Sequence, residues 1–473
     1  MARTIVACAV LACLPRAAGA GGPPSLTVVA LEVDATPAPR PALRYPLLPE
    51  LREMNPGNPV QGYLMCFAQQ ENFFYGKSSF ENREKWLTMP LHELPLKELR
   101  DYGSLALRQA DYAARLDTPD WQTLLRMKRD GVHLLMPELQ QMRVLSDALR
   151  VRFRVEVAER RFDDALRTAR TLFALARHLG EHPTYIANLV SLYVAGRSLK
   201  VLEEMVQQPG CPNLYWSLSD LPEPFVDVRK ALQGERVFEA AEFAPFDTTA
   251  PLSPEQLEQA VARLDEWFDG TELKFGLWGP NSKGPLPPPR PARKSPREWL
   301  GWRAGDAAFV SAARKRLVES GLSRNAVEKL PPLQVVLLDE KREYDFRRDE
   351  MMKWATAPFP YLEAGRKTQP RKSDEWLFSR LVGGDFGIFQ IRGRVQQRIA
   401  LLRHAEALRL YAAEHGKLPA HLADAGLPLP ADPFTAKPFI YRIEGRKAVL
   451  RGSPPPGQEK SPDFNVQFEV TVR

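Results

Sequence analysis

Cysteine is scarce in this chain of 473 residues: there are four, and Cys8 and Cys13 fall near the N-terminus. That leaves Cys66 and Cys211, too few for a disulfide framework and without the CxxC spacing of a zinc ribbon, a redox dithiol or a haem attachment site. In an oxidising compartment these two form either one disulfide or two buried thiols, since they lie on different segments. No glycine-rich phosphate loop opens a helix, and no Gly-x-Ser-x-Gly elbow is present. The absences favour a binding or scaffold protein over an enzyme, and no cofactor is expected. Concentrated charge of one sign is also missing. The formal net charge of +7 falls to +5 without Arg3 and Arg16, and it is spread too thinly to imply a nucleic-acid partner.

Long apolar runs are absent as well. The run from Ile5 to Leu14 is well short of the roughly 20 residues a spanning helix needs. Flanked by Arg3 and by the small residues Ala18-Gly19-Ala20, it fits a signal peptide over residues 1–20, so the chain is expected to be exported, periplasmic or secreted. Val10-Leu11-Ala12-Cys13 offers the alternative of a lipoprotein anchored through an acylated Cys13. No transmembrane helix is expected in the mature chain. Residues 21–41 are rich in Gly, Pro and Ala without periodicity, and are expected to be a flexible tether.

What the chain does contain is helical periodicity. Hydrophobic content of 44% with 26% charged residues suits a globular chain of two or three cooperative units, and 43 prolines punctuate the helical runs. From Pro137, apolar residues recur at Leu139, Met142, Leu145, Leu149, Phe153 and Val157, then at Phe162, Leu166, Ala169, Phe173 and Ala176. This spacing predicts two helices joined near Ala158–Ala165, with Phe162 plugging the gap, and a third helix after Pro183. Residues 42–278 are thus expected to be a helical array, whose last helix starts at the capping sequence Ser253-Pro254-Glu255-Gln256. Within it, Tyr215 and Trp216 either line a ligand groove or seal a packing seam, and the seam is the ordinary fate of such a cluster.

Residues 279–296, GPNSKGPLPPPRPARKSP, cannot form a helix or a central strand and are expected to be a proline-rich basic loop between subdomains. Lys283, Arg290, Arg293 and Lys294, with Arg297 and Arg303 beyond, either form a solvated linker or bind an acidic polymer, headgroup or partner. A second helical region spans 297–414. Its charge runs, Asp339–Glu343 and Arg347–Glu350, fit an exposed helix face, and nothing in them marks a buried or perturbed carboxylate. Residues 415–473 hold a turn-rich connection and three alternating segments, which predict a small antiparallel sheet packed on the last helix. The fold class expected is mainly α, an irregular helical-hairpin array of α-solenoid type with this sheet at the C-terminus.

The helix exit at Leu408–Pro419 and the segment Asp432-Pro-Phe-Thr-x-Lys-Pro-Phe-x-Tyr441 resemble the end of the pseudopilins of type II secretion, where a helix runs into a small sheet. The N-terminus has no prepilin cleavage site followed by a long apolar helix, so pseudopilus assembly is not carried over. The stretches LLPELREMNPGNP, VAERRFDDALRTARTLFALARHLGEHPTYI and PGCPNLYWSLSDLP, with the C-terminal module, together resemble a family of exported, uncharacterised helical proteins of planctomycete type. That resemblance implies export and a shared helical fold, and it brings no activity or site residues. The Phe162 turn is similar to a tetratricopeptide hairpin, without a sustained repeat period.

One catalytic pattern is present. His178-Leu-Gly-Glu181-His182 fits H-x-x-E-H, in which two imidazoles one turn apart hold zinc and the carboxylate activates water. The chemistry needs an intact helical turn and a third ligand, for which Glu255 or Glu258 is a guess; Gly180 weakens the turn and Pro183 ends it. The bland reading is a helix C-terminus that attracts histidine for its dipole. The function expected is a non-enzymatic scaffold of the cell envelope that holds a protein partner or envelope component. A zinc-dependent hydrolase centred on His178, Glu181 and His182, or an accessory of a type II secretion-like system, are the alternatives.

Overall fold

A computed structural model describes residues 26–131, 134–275, 295–368, 377–380 and 386–473. The leader with Cys13 and nearly all of the proline-rich loop lie outside the described residues. The segment expected to be a tether corrects the sequence reading at once. Within it Thr27–Val33 forms a strand, β1, with Leu31 and Val33 fully buried. Its run TVVALEV has the β-branched, alternating character of a strand, but its partner is the last strand of the chain, so no local signal marks the pairing.

The chain next lays down short helices: α1 (Pro59–Met65), α2 (Lys77–Thr88), α3 (Arg108–Ala113) and α4 (Leu124–Asp130). The first is set by Asn58, whose side chain accepts from the Val60 amide, and by Pro59 at the first helical position. Gly62 lies against Ala113, which brings α1 and α3 backbone to backbone. These helices cover one side of the three long ones the periodicity predicted: α5 (Pro137–Ala158), α6 (Phe162–Gly180) and α7 (Tyr185–Met205). Thr184 caps α7 by accepting from the Ala187 amide. Leu145, Leu149, Phe153, Leu172, Phe173, Val194 and Leu199 are buried between them, each excluding apolar surface from water.

After α8 (Arg229–Phe243), helices α9 (Pro254–Phe275), α10 (Pro296–Ala304), α11 (Ala307–Glu319) and α12 (Pro332–Met352) enclose a second core around Leu264, Leu300, Leu317, Val335 and Phe378. The long helix α13 (Phe386–His415) returns to the first core, packing on α7 and on the sheet. The expected subdomain boundary at 279–296 is therefore misplaced. The helices on either side of that loop pack on each other, α9 belongs to the second core, and α13 belongs to the first. Periodicity locates helices without saying which faces meet.

The sheet is completed by β2 (Ile440–Glu444), β3 (Lys447–Arg451) and β4 (Val466–Val472), in the order β1-β4-β3-β2. The three C-terminal strands are antiparallel as expected, but β1 pairs with β4 in parallel, so the sheet is mixed. Leu31 opposite Val470, and Leu450 opposite Phe468, form its apolar face over α13.

A fully buried ion pair on α13 fastens the remaining connections. The Arg409 guanidinium donates to Glu406 at 2.9 and 3.0 Å, to the carbonyls of Asp34 and Cys211 at 3.0 and 2.9 Å, and to the Thr36 hydroxyl at 2.9 Å. Glu406 accepts in turn from the Leu214 amide at 2.6 Å. Two charges can sit in the interior only with this many hydrogen bonds to them. Through them the exit of β1 and the 211–214 segment are held to one helix. Cys66 and Cys211 are both buried free thiols, and Tyr215 is buried, its hydroxyl donating to the Pro428 carbonyl at 2.7 Å, so it seals a seam.

Candidate functional site

Helix α6 ends at Gly180, so the HLGEH pattern straddles a helix terminus: His178 is in the last turn, Glu181 is the capping residue and His182 lies beyond it. His178 Nδ1 is 2.9 Å from the Tyr63 hydroxyl of α1, and its carbonyl accepts from the Trp121 indole at 2.9 Å. His182 is fully buried, with the Trp121 ring edge-on to it at 5.1 Å. Its Nε2 is 3.2 Å from the Thr123 hydroxyl and its Nδ1 2.9 Å from the Thr184 hydroxyl. The Thr123 hydroxyl gives its own proton to the Trp121 carbonyl, so the network assigns the ring proton to Nε2 and leaves Nδ1 accepting from Thr184. Both ring nitrogens are thereby used.

Glu181 is turned elsewhere, 3.3 Å from Lys230. Of the third-ligand candidates, Glu255 accepts from the Ser253 hydroxyl and Glu258 pairs with Arg297, both around the second core. The motif residues are close in sequence and engaged with different partners in space. Among the described residues, no group of three or more His, Cys, Asp or Glu could hold a metal ion. Burial, with Arg177 nearby, lowers the His178 pKa to about 4, and burial, with Arg126 and Lys230, lowers that of His182 to about 3. Both rings are neutral at physiological pH and act as hydrogen-bonding wedges.

What they wedge is the outer layer. Tyr63 on α1, with Trp121 and Thr123 just before α4, is clamped to the end of α6 through the two imidazoles. Two ion pairs add to the clamp. Arg152 of α5 grips Asp111 of α3 at 2.6 and 2.9 Å, with Thr171 donating to the same carboxylate, and Arg170 donates to Glu53 at 2.8 Å. On its outward side this layer carries Leu51, Met65, Leu105, Leu125 and Leu135, all between 60% and 90% exposed. Helical spacing does not single these residues out: it groups Leu105 with Leu99, Leu107, Ala110 and Ala113, which are buried while Leu105 is exposed.

The charge run Asp339–Glu343 needs a correction. Burial pushes Glu340 up to about 8; its carboxylate accepts from the Leu377 amide at 2.8 Å inside the second core. Burial likewise raises Glu156 to about 7, where it accepts from the Thr168 hydroxyl at 2.7 Å. Each is a satisfied interior acid with a structural partner. The turn around Phe162 carries an open depression of about 390 Å³, lined by Tyr45, Arg160, Arg161, Phe162, Asp163, Asp164, Gly210 and Pro212. No family model, no curated protein and no solved structure matches this chain.

Proposed function

We propose that this is an exported, non-catalytic protein of the cell envelope that holds a protein partner against its layer of short helices. The observation that supports the reading is the exposure of Leu51, Met65, Leu105, Leu125 and Leu135 on a layer clamped from behind by Tyr63, Trp121, Thr123 and Asp111. Large apolar side chains left in water cost free energy unless a partner covers them, and a rigid backing lowers the entropic cost of binding. Export rests on the leader pattern, with processing at the small residues or anchorage through Cys13. Among the described residues no helix is long and apolar enough to cross a membrane.

The test is a capture experiment with a triple variant, Met65→Ser, Leu105→Ser and Leu125→Ser. Wild-type chain fixed to a support is expected to retain one stoichiometric protein from envelope extract. The variant is expected to lose it at least tenfold while its thermal unfolding stays within a few degrees of wild type, because exposed positions contribute little to stability. Equal retention by the variant, or no stoichiometric protein with wild type, overturns the reading.

A further inference from the structure

Helices α5 and α7 lie side by side and run the same way, and each carries a polar stripe with the same spacing. On α5 the stripe is Arg143, Asp147, Arg150 and Arg154; on α7 it is Tyr193, Arg197, Lys200 and Glu204. Both advance by four, three and four residues, which keeps one helix face in line. The stripes meet. At one end the Arg143 guanidinium stacks 5.0 Å from the centre of the Tyr193 ring, and at the other Arg154 pairs with Glu204 at 2.6 Å. Arg197 also lies over Tyr193, at 5.2 Å.

The seam holds more cations than it can neutralise. Of its five positive groups, Arg154 is matched by Glu204 and Arg150 by Asp147, at 2.8 Å. Glu203, which acts on Lys200 from the same helix, is taken by Arg398 of α13. Among the described residues Arg197, Lys200 and Arg143 have no ion pair; beyond its stacking on Tyr193, Arg143 donates a 3.3 Å hydrogen bond to Gln140. Arg150 forms the floor with 6% of its surface exposed, and its Nε is buried without a hydrogen-bond partner, as is the Nε of Arg143. A buried guanidinium N–H left unmade is costly, and like charges crowded in a half-buried seam repel. Packing around the Lys200 stem, then the proximity of Arg398 and Arg197, lowers its pKa, and burial followed by the effect of Arg197 lowers that of Arg150. The rim stays open, because Arg143, Tyr193 and Arg197 are half-buried and Lys200 is exposed.

We infer that the α5–α7 seam is a binding site for a phosphate-bearing anion, held by Arg143, Arg150, Arg197 and Lys200 with Tyr193 as its aromatic wall. Guanidinium groups present paired N–H donors that match phosphate oxygens, and a dianion supplies the charge the seam lacks. The site is independent of the apolar layer, so either reading can fail alone. Its ligand is a soluble phosphate ester or the phosphate of a lipid headgroup; the recognising chemistry is the same.

The experiment measures thermal unfolding of the full mature chain in inorganic phosphate against chloride at equal ionic strength. Millimolar phosphate is expected to raise Tm by several degrees beyond chloride, as a ligand selective for the folded state does. The rim variant Arg197→Gln with Lys200→Gln, both on the accessible side, is expected to abolish the difference; a floor variant, Arg150→Gln, is expected to do the same if it folds. Flotation with phosphatidylglycerol and phosphatidylcholine vesicles separates the sources. Binding to the first alone that is lost in the rim variant identifies a headgroup, and a phosphate effect without vesicle binding identifies a soluble ligand. A phosphate shift no larger than that of chloride, or one unchanged in the rim variant, overturns the proposal.

Discussion

His182 illustrates at the residue scale how a side chain suited to one chemistry is committed to another. An imidazole becomes a zinc ligand by offering a lone pair, and here the lone pair of Nδ1 accepts from Thr184 while Nε2–H donates to Thr123. The arrangement has a pH consequence with a definite sign. The unfolded ring titrates near 6.5, while the folded rings of His178 and His182 are held at about 4 and about 3. As pH falls below the unfolded value, the unfolded chain takes up protons that the folded chain refuses. Stability conferred by the neutral rings is thus intact above about 6.5 and is lost at roughly 1.4 kcal/mol per pH unit for each ring below it. In urea titrations at several pH values, His182→Gln is expected to flatten the slope between pH 6 and pH 4 by one ring's share, whatever its effect on stability at neutral pH. An unchanged slope would mean that the ring is not held neutral. The isosteric change Thr123→Val leaves Nε2–H buried with no acceptor. It is expected to cost about 1–3 kcal/mol in the same titration at pH 7; a loss well below that would contradict the assigned tautomer.

At the scale of elements, β1 depends on the far end of the chain. Its seven residues gain their hydrogen bonds from β4 and bury Leu31 and Val33 over α13, and the Arg409–Glu406 pair anchors the residues that follow. Leu31→Asp puts a charge into that core with no partner, so the strand is expected to leave the sheet. Hydrogen exchange should then quicken in β4 on its β1 side, while β2 and β3 keep their protection. Unaltered protection throughout β4 would show that β1 contributes no pairing of consequence. The same element marks the limit of what was legible beforehand. The α5–α6 pair could be read from Leu139 to Ala176 because local periodicity encodes a buried face. The parallel pairing of β1 could not, because its partner is remote and its neighbours are Gly, Pro and Ala. Likewise the HLGEH pattern was visible as a string, but Tyr63, Thr123 and Thr184, which decide what its imidazoles do, stand at other places in the chain. The α5–α7 seam was hidden for a related reason: Arg143, Asp147 and Arg150 taken alone look like any solvated helix face, and their excess charge exists only once Tyr193, Arg197 and Lys200 are set beside them.

At the scale of the whole molecule, the two largest hydrophobic cores among the described residues share one chain whose path leaves the first, builds most of the second and comes back. Helix α13 packs on α7 and the sheet, so the second core is carried by an insertion that opens at Phe243 and is last seen at Phe378, and that itself touches the first core at Ala355, Phe359 and Leu362. The proline-rich stretch is internal to that insertion. Helix α9 before it and helix α10 after it are in contact, and Arg297 just beyond it pairs with Asp265 and Glu258 of α9. A protease cut introduced between Gly279 and Lys294, at an engineered recognition sequence, should therefore break the chain without parting it. The two fragments are expected to co-elute as one species of unchanged hydrodynamic size and to separate only in denaturant, because the cut removes a covalent tie between faces that remain buried against each other. Had the stretch joined two bodies with separate cores, the same cut would release them. Separation of the fragments under native conditions would restore the boundary at 279–296 and remove α9 from the second core.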